Sequence, residues 1–364
     1  MTATAPRPPT TQHSSIEKIL HGFLSAPHFT DPELVRATRL LHDFVLNGGK
    51  RLRPTLCCLG YSAVTGRDPT PPVLRAAASL ELFHAFALIH DDVMDQSATR
   101  RGVPTLHHSL GPDPGPDRHP RPAASHRYPP STGHDGICRA ILVGDLAFAW
   151  SDQILHSSGL TPQQLQDVRP LVNAMRTEVM GGQYLDVAAA RQDGRDLAAA
   201  LRVIRHKTAK YTIERPLHLG AILGGATEQQ LRDLTDYALP LGEAFQLRDD
   251  LLGVFGDPAV TGKSRLDDLR EGKRTVLMAL ALRAAAPTHQ RRLHALWGKP
   301  DLTEGEAQQI RHILTVCHAR TRVEAMIDQR RRHVLTCLDA CTSLTPDALA
   351  RLRHLADSAT RRTR

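Results

Sequence analysis

Apolar residues recur at three- and four-residue spacing from Ser15 onward, as at Ile16, Ile19, Leu20 and Phe23, which is the period of one helix face. That period persists to about residue 106 and returns over about 139–158, 162–183, 197–210, 214–225, 228–255, 274–286, 303–316, 318–341 and 345–360. Loops interrupt it at Asn47–Pro54 and Gly66–Pro72, where Gly and Pro cluster. Between 111 and 130 seven prolines fall in twenty positions, which no regular helix or central strand tolerates, so this segment reads as an inserted loop. No stretch alternates with period two and no block repeats. The pattern therefore predicts an all-α fold, a single-domain helical bundle over 15–360 with functional side chains projecting inward from facing helices. Residues 1–14, rich in Thr and Pro, read as a disordered lead without the apolar centre of a signal peptide, and 361–364 as a basic tail.

Composition sharpens this in three places. Aromatics make up 4% of the chain while Ala and Leu abound, which favours helix over sheet. The net charge of +8 is compatible with nucleic acid, a membrane surface or small polyanions. The Lys and Arg residues are dispersed, and neither aromatic stacking platforms nor a base-reading helix is present, so no nucleic-acid partner is expected. The six cysteines form no CxxC pair, so they read as free thiols of a cytoplasmic protein. No run of about 18 apolar residues is evident, and no membrane span is expected.

The chemistry-bearing stretch is His84-Ala-Phe-Ala-Leu-Ile-His-Asp-Asp-Val-Met-Asp95. On a helix Asp91 and Asp95 stand one turn apart, where like charges repel and a cation relieves the repulsion. Oxygen-only ligands suit Mg²⁺, which takes one or two carboxylates with water and substrate phosphates. A second acidic pair, Asp249-Asp250, ends another apolar helical run, and two such segments make a set for several Mg²⁺ ions and a diphosphate. Cations follow glycines or flank the acidic residues: Lys50, Arg51 and Arg53 after Gly48-Gly49, Arg100-Arg101 after the first motif, Lys207 before Thr208, Lys263 after Gly262 and Lys273 after Gly272. Arg grips phosphate bidentately and Lys acts as a point charge. Gly48 and Gly49 are expected to let the backbone approach a ligand.

Together these residues resemble the trans-polyprenyl diphosphate synthases, the head-to-tail isoprenoid chain elongases, and among them the bacterial geranylgeranyl diphosphate synthases. The matching motifs are Gly48–Pro54, Asp91–Asp95 with Arg100-Arg101-Gly102, Gly144-Asp145, Gly182-Gln183 with Asp186, Lys207-Thr208, Phe245-Gln246 with Asp249-Asp250, Gly262-Lys263, Asp267-Asp268 and Gly272-Lys273. The resemblance spans about residues 15–360. It implies the isoprenoid synthase fold, a helical bundle around a central cavity, and a homodimer. It implies that Asp91, Asp95 and Asp249 bind three Mg²⁺ ions, with Asp92, Asp250 and Lys207 completing the catalytic set. Arg100, Lys207 and Lys263 would contact an allylic diphosphate (dimethylallyl, geranyl or farnesyl). Lys50, Arg53, His84 and Arg101 would hold isopentenyl diphosphate. Thr208 and Gln246 would line the reacting chain, and Lys273 would add positive charge beside the metals. The implied reaction ionises the allylic diphosphate, lets the isopentenyl double bond attack the cation, and returns a proton to the departing diphosphate.

The chain departs from the family pattern at Gly253, where many members carry a third Asp, and at Ser264-Arg265-Leu266, where a Pro- and Gly-containing turn is usual. Phe86 lies five positions before Asp91, with Ala87 beside it and Phe83 one turn deeper. In this family that pattern resembles a C20, geranylgeranyl-type, floor to the elongation pocket, with farnesyl diphosphate as the close alternative. A class I terpene cyclase also carries a DDxxD helix. It would need an Asn/Asp-Asp-x-x-Ser-x-x-x-Glu motif, which is not found here, and would not need Lys50 and Arg53.

Overall fold

The computed structural model describes residues 11–111, 133–189, 193–257 and 265–361. Most of the proline-rich segment, Lys263, residues 1–10 and residues 362–364 lie outside them. The described chain is all-α apart from one hairpin. The helices are α1 (Thr11–Leu24), α2 (Pro32–Leu46), α3 (Leu52–Thr65), α4 (Pro71–Met94), α5 (Leu106–Ser109), α6 (His134–His156), α7 (Pro162–Ala189) and α8 (Leu197–Val203). A π-helix, Ile204–Glu214, then runs directly into α9 (Arg215–Leu223). They are followed by α10 (Glu228–Phe255), α11 (Asp267–Glu271), α12 (Val276–Ala284), α13 (Pro287–Leu296), α14 (Glu304–Val316), α15 (Ala319–Ala340) and α16 (Pro346–Thr360).

The differences from the sequence expectation are local. Helix α1 begins at Thr11, four residues inside the expected lead. Leu52-Arg53-Pro54 form the first turn of α3, and Pro71 opens α4, because proline at the start of a helix forfeits no internal hydrogen bond. The expected helix 197–210 changes to π geometry after Val203, and α13 was not anticipated. Two strands, β1 (Thr99–Arg100) and β2 (Val103–Pro104), pair antiparallel around Arg101-Gly102. Both loop residues have positive φ, 54° and 78°, the conformation a tight two-residue hairpin requires. Helix α4 is the most apolar long helix among those bearing on the expectation that no membrane span is present. It is long and apolar enough to cross a membrane, with a window of mean hydropathy 1.4, and 61% of that window is buried inside the protein.

The chain divides into two compact units. The first contains residues up to Pro54 together with Leu74–Gly159. Here α4 is apolar around most of its circumference, as suits a buried helix. Ser151 donates to the Ser79 carbonyl at 2.9 Å, which ties α6 to α4, and Phe23 packs edge-on against Trp150. The second unit contains Thr55–Val73 and everything from Leu160. Its α10 packs against both the π-helix and α15. A capping box between Thr227 and Gln230 starts α10. One apolar cluster joins α10 with α12, α13, α14 and α15 through Leu247, Leu251, Leu277, Leu293, Ile310 and Ile327. Gly60 and Gly220 let α3 and α9 meet backbone to backbone; a Cβ on Gly220 would stand 1.8 Å from the Cys57 carbonyl oxygen.

Candidate active site

In the first unit the Gly48-Gly49 loop, the hairpin turn and α4 gather the basic residues. Gly48 and Gly49 have φ of 85° and 106°, which side chains rarely adopt. The close approach they permit is by Arg101. A Cβ on Gly49 would lie 3.2 Å from its Nη2, and Arg101 donates to the Asn47 carbonyl at 3.0 Å. Arg51, which the motif reading left without a role, is buried and ion-paired with Glu81 at 2.9 Å and Glu17 at 3.7 Å. It holds the loop while Lys50 stays exposed and Arg53 half-buried. His84 sits in this field. Burial first, then the charges of Arg53, Arg100, Arg101 and Arg51, push its pKa well below the usual imidazole value. A neutral imidazole among four guanidinium groups marks a place that favours an anion.

Asp91, Asp92 and Asp95 stand at the C-terminal end of α4, where the helix dipole already carries partial negative charge. The Asp95 N–H donates to the Asp91 carbonyl at 2.8 Å, so the helical spacing continues through the motif. The three acids differ. Asp92 is buried, and Arg100 grips it from Nε at 2.9 Å and Nη2 at 2.7 Å. Burial raises the pKa of Asp92, and the Arg100 hydrogen bonds oppose the rise. Arg100 also lies 3.8 Å from Asp91. Asp92 therefore holds Arg100 against the motif.

On the preceding turns Phe86 contacts Phe83 at 5.4 Å between ring centroids, Phe148 at 5.3 Å and His90 at 4.7 Å. Phe148 comes from α6, and its partnership with Phe83 and Phe86 was invisible in the one-dimensional spacing. His90 donates to the Ile141 carbonyl at 3.1 Å and faces Asp145 at 3.5 Å. Gly144 makes room for that ring, since a Cβ there would stand 2.3 Å from His90 Cδ2. This explains the Gly144-Asp145 pair: one admits His90 and the other faces it.

In the second unit Lys207 and Thr208 ride on the π-helix, whose wider turn is often met at functional positions. Lys207 donates to Asp186 at 2.7 Å. Gly182 allows the approach, because a Cβ there would fall 2.6 Å from the Lys207 amide nitrogen. Glu178 anchors the same helix, accepting from Arg215 at 2.7 and 2.8 Å and from Lys210. Thr208 donates to Gln246 at 2.8 Å, and Gln246 donates to Asp250 at 2.8 Å. Burial, with Asp249 and Asp268 nearby, pushes Asp250 up to about 8. Asp249, its neighbour on α10, is half-buried. Lys273 pairs with Asp268 at 3.3 Å and Glu271 at 2.7 Å.

These oxygen donors fit Mg²⁺. Among the described residues no three His, Cys, Asp or Glu side chains converge into a ready-made metal cage. Mg²⁺ does not need one, because substrate phosphates and water complete its shell around one or two carboxylates. The cradle at Gly253 is open to a carboxylate as well: a Cβ there would lie 1.8 Å from Asp268 Oδ2.

Comparison with known proteins agrees with this chemistry. Residues 36–314 match the family model for polyprenyl synthetase. The crystal structure of geranylgeranyl pyrophosphate synthase from Corynebacterium glutamicum, complexed with isoprenyl diphosphate and magnesium, is 40% identical with a TM-score of 0.86. The match covers 96% of this chain and 98% of that one. Geranylfarnesyl diphosphate synthase of Aeropyrum pernix is 34% identical over 241 residues, 65% of this chain and 68% of that protein. Geranylgeranyl diphosphate synthase of Methanosarcina mazei is 30% identical over 285 residues, 78% and 76% of the two chains. A family match over most of the chain, on an all-α fold that carries the motifs in order, means that this protein belongs to the polyprenyl synthetase family and is a prenyltransferase.

Proposed function

We propose that the protein condenses isopentenyl diphosphate with an allylic diphosphate in the presence of Mg²⁺ to make geranylgeranyl diphosphate. The observation that carries this reading is the near full-length match, at 40% identity, to a geranylgeranyl pyrophosphate synthase crystallised with isoprenyl diphosphate and magnesium. The Phe83–Phe86–Phe148 ring cluster supports the product length, because bulky rings one to two turns before Asp91 would end an apolar pocket.

The reading assigns isopentenyl diphosphate to Lys50, Arg53, Arg101 and the neutral His84. It assigns the allylic diphosphate to Arg100, Lys207 and Lys263, with Asp91, Asp95 and Asp249 holding three Mg²⁺ ions. When bound, Mg²⁺ supplies neutralising charge for the diphosphate oxygens. Asp92 keeps Arg100 in place and Asp186 keeps Lys207 in place, so both cations are oriented before substrate arrives. The Thr208–Gln246–Asp250 chain fixes the polar edge of the chain-lining segment. Apolar rings along α4 keep water from a developing carbocation.

A homodimer belongs to the same reading. Met180, Tyr184 and Val187 stand exposed at 44%, 75% and 49% on one face of α7, at the spacing of a partner-binding stripe. Sedimentation of the purified chain tests the assembly. Purified protein with Mg²⁺, isopentenyl diphosphate and labelled farnesyl diphosphate tests the function. A C20 diphosphate is expected. A hydrocarbon product would identify a terpene cyclase, a C25 diphosphate would align the chain with the geranylfarnesyl enzyme, and no turnover would refute the reading. Asp91→Ala should abolish turnover with the fold intact.

A further inference from the structure

We propose that Glu81 is a positioning residue for the isopentenyl diphosphate end of the site: it holds Arg51 in a left-handed backbone conformation, and that conformation aims Lys50 and Arg53. This rests on reading Lys50, Arg53 and Arg101 as the groups that hold isopentenyl diphosphate. Arg51 has φ of 47°, a region that a residue with a long side chain seldom enters. Glycines fill that region at 48 and 49, whereas an arginine at 51 stays there only if its surroundings hold it. They hold it by the side chain. Arg51 Nη1 donates to Glu81 at 2.9 Å, Nη2 donates to the Leu46 carbonyl at 3.4 Å, and Nε lies 3.7 Å from Glu17. One guanidinium is thus tied to α4, α2 and α1. Arg51 is 3% exposed and Glu81 6%, so the pair is cut off from water and neither partner can leave without stranding a charge. Arg51 is also the residue before α3. Its φ sets the direction in which the chain leaves the glycine loop and enters that helix, with Lys50 exposed on one side and Arg53 in the first turn on the other. The same guanidinium flanks Gly49, where a Cβ would stand 3.4 Å from Arg51 Nη1 and 3.2 Å from Arg101 Nη2. Three of the assigned ligands therefore take their places from one buried pair.

Two double variants of the full chain, Arg51→Ala/Glu81→Ala and Arg51→Gly/Glu81→Ala, remove the pair whole, so neither leaves a lone buried charge. They differ by one methyl group. Alanine must bear the left-handed conformation unaided, and glycine adopts it freely. With Mg²⁺ and a labelled allylic diphosphate in excess, the KM for isopentenyl diphosphate should rise roughly tenfold in the alanine pair. It should return most of the way to the wild-type value in the glycine pair. The KM for the allylic substrate and kcat should move little in either, since Asp92 holds Arg100 separately. Thermal unfolding checks that each variant folds. A third pair, Arg51→Met/Glu81→Leu, fills the vacated volume without the tie and should match the raised KM of the alanine pair, which keeps the test open if that pair is unstable. Equal KM values in the alanine and glycine pairs, or a wild-type KM in the alanine or the Met/Leu pair, overturn the proposal. Lys50→Ala is the control for the reading beneath it. A wild-type KM for isopentenyl diphosphate in that variant sinks the substrate assignment and the proposal with it; a raised one, beside equal values in the two pairs, sinks the positioning role of Glu81 alone.

Discussion

Replacing Glu178 with Gln should unfasten the π-helix that carries Lys207 and Thr208. Burial alone would raise the pKa of Glu178. Hydrogen bonds and charge from Arg215 and Lys210 reverse this and bring it from the ordinary 4.5 to about 2. At about 1.4 kcal/mol per pH unit, that difference is worth about 3 kcal/mol to the folded state. The carboxylate is 19% exposed, so solvent screens the pair only in part. The sign follows from the direction of the change. A carboxyl whose folded pKa is depressed contributes its stability above the unfolded value and loses it as pH falls through the folded value. The contribution is complete above about pH 4.5 and gone below about pH 2. Urea unfolding of wild type and Glu178→Gln, at pH 7 and in steps down to pH 2, reads it out. The variant should be less stable by about 3 kcal/mol at pH 7, and the two curves should converge toward pH 2. A constant offset across that range would refute the assignment of the stability to the ion pair. Because Lys207 sits one turn from Lys210 on the same helix, the variant should also bind diphosphate more weakly at pH 7 than its residual fold would suggest.

His84 gives the opposite pH signature. Its folded pKa lies well below 6.5, so the native state excludes a proton that the unfolded chain takes up, and wild-type stability should fall as pH drops below about 6.5. His84→Gln should flatten that slope in urea unfolding at pH 7.5 and 5.5 and raise the KM for isopentenyl diphosphate. Phe86→Ala should lengthen the product beyond C20, as read by mass spectrometry, and Phe148→Ala should act in the same direction because its ring lies 5.3 Å from that of Phe86. Gly144→Ala should push the His90 ring off the Ile141 carbonyl and destabilise by about 1–3 kcal/mol in calorimetry, less when His90 is already Ala.

Much of this fold was legible because helices announce themselves by period. Helix α10 matches the expected 228–255 at both ends, since Thr227 and Gln230 cap it and its apolar face runs unbroken. Helix α13 escaped because only Leu293 and Leu296 of its ten residues are buried, too few to register a period. The π-helix escaped for a different reason: a widened turn departs from the 3.6-residue period without changing composition. The hairpin has two residues per strand, too short for alternation to show. At the site, residue types and motif order were readable, whereas partnerships across long separations were not. Glu81 for Arg51, Asp186 for Lys207, Phe148 for Phe86 and Asp268 for Gly253 are visible only once the chain is folded.

The motif glycines share a physical role that their sequence context conceals. Gly49 yields to Arg101, Gly144 to His90, Gly182 to the backbone of Lys207 and Gly253 to Asp268. In each case a missing side chain seats a charged, aromatic or backbone group that belongs to the site. The atom met decides the consequence of adding a methyl. At Gly182 the neighbour is a backbone nitrogen 2.6 Å away, which cannot retreat without moving the π-helix, so packing and stability should suffer first. At Gly253 it is the end of the Asp268 side chain, which can swing aside at small cost to the fold. Substitution there should leave stability nearly intact, which separates glycines that meet backbone from those that meet a movable side-chain end.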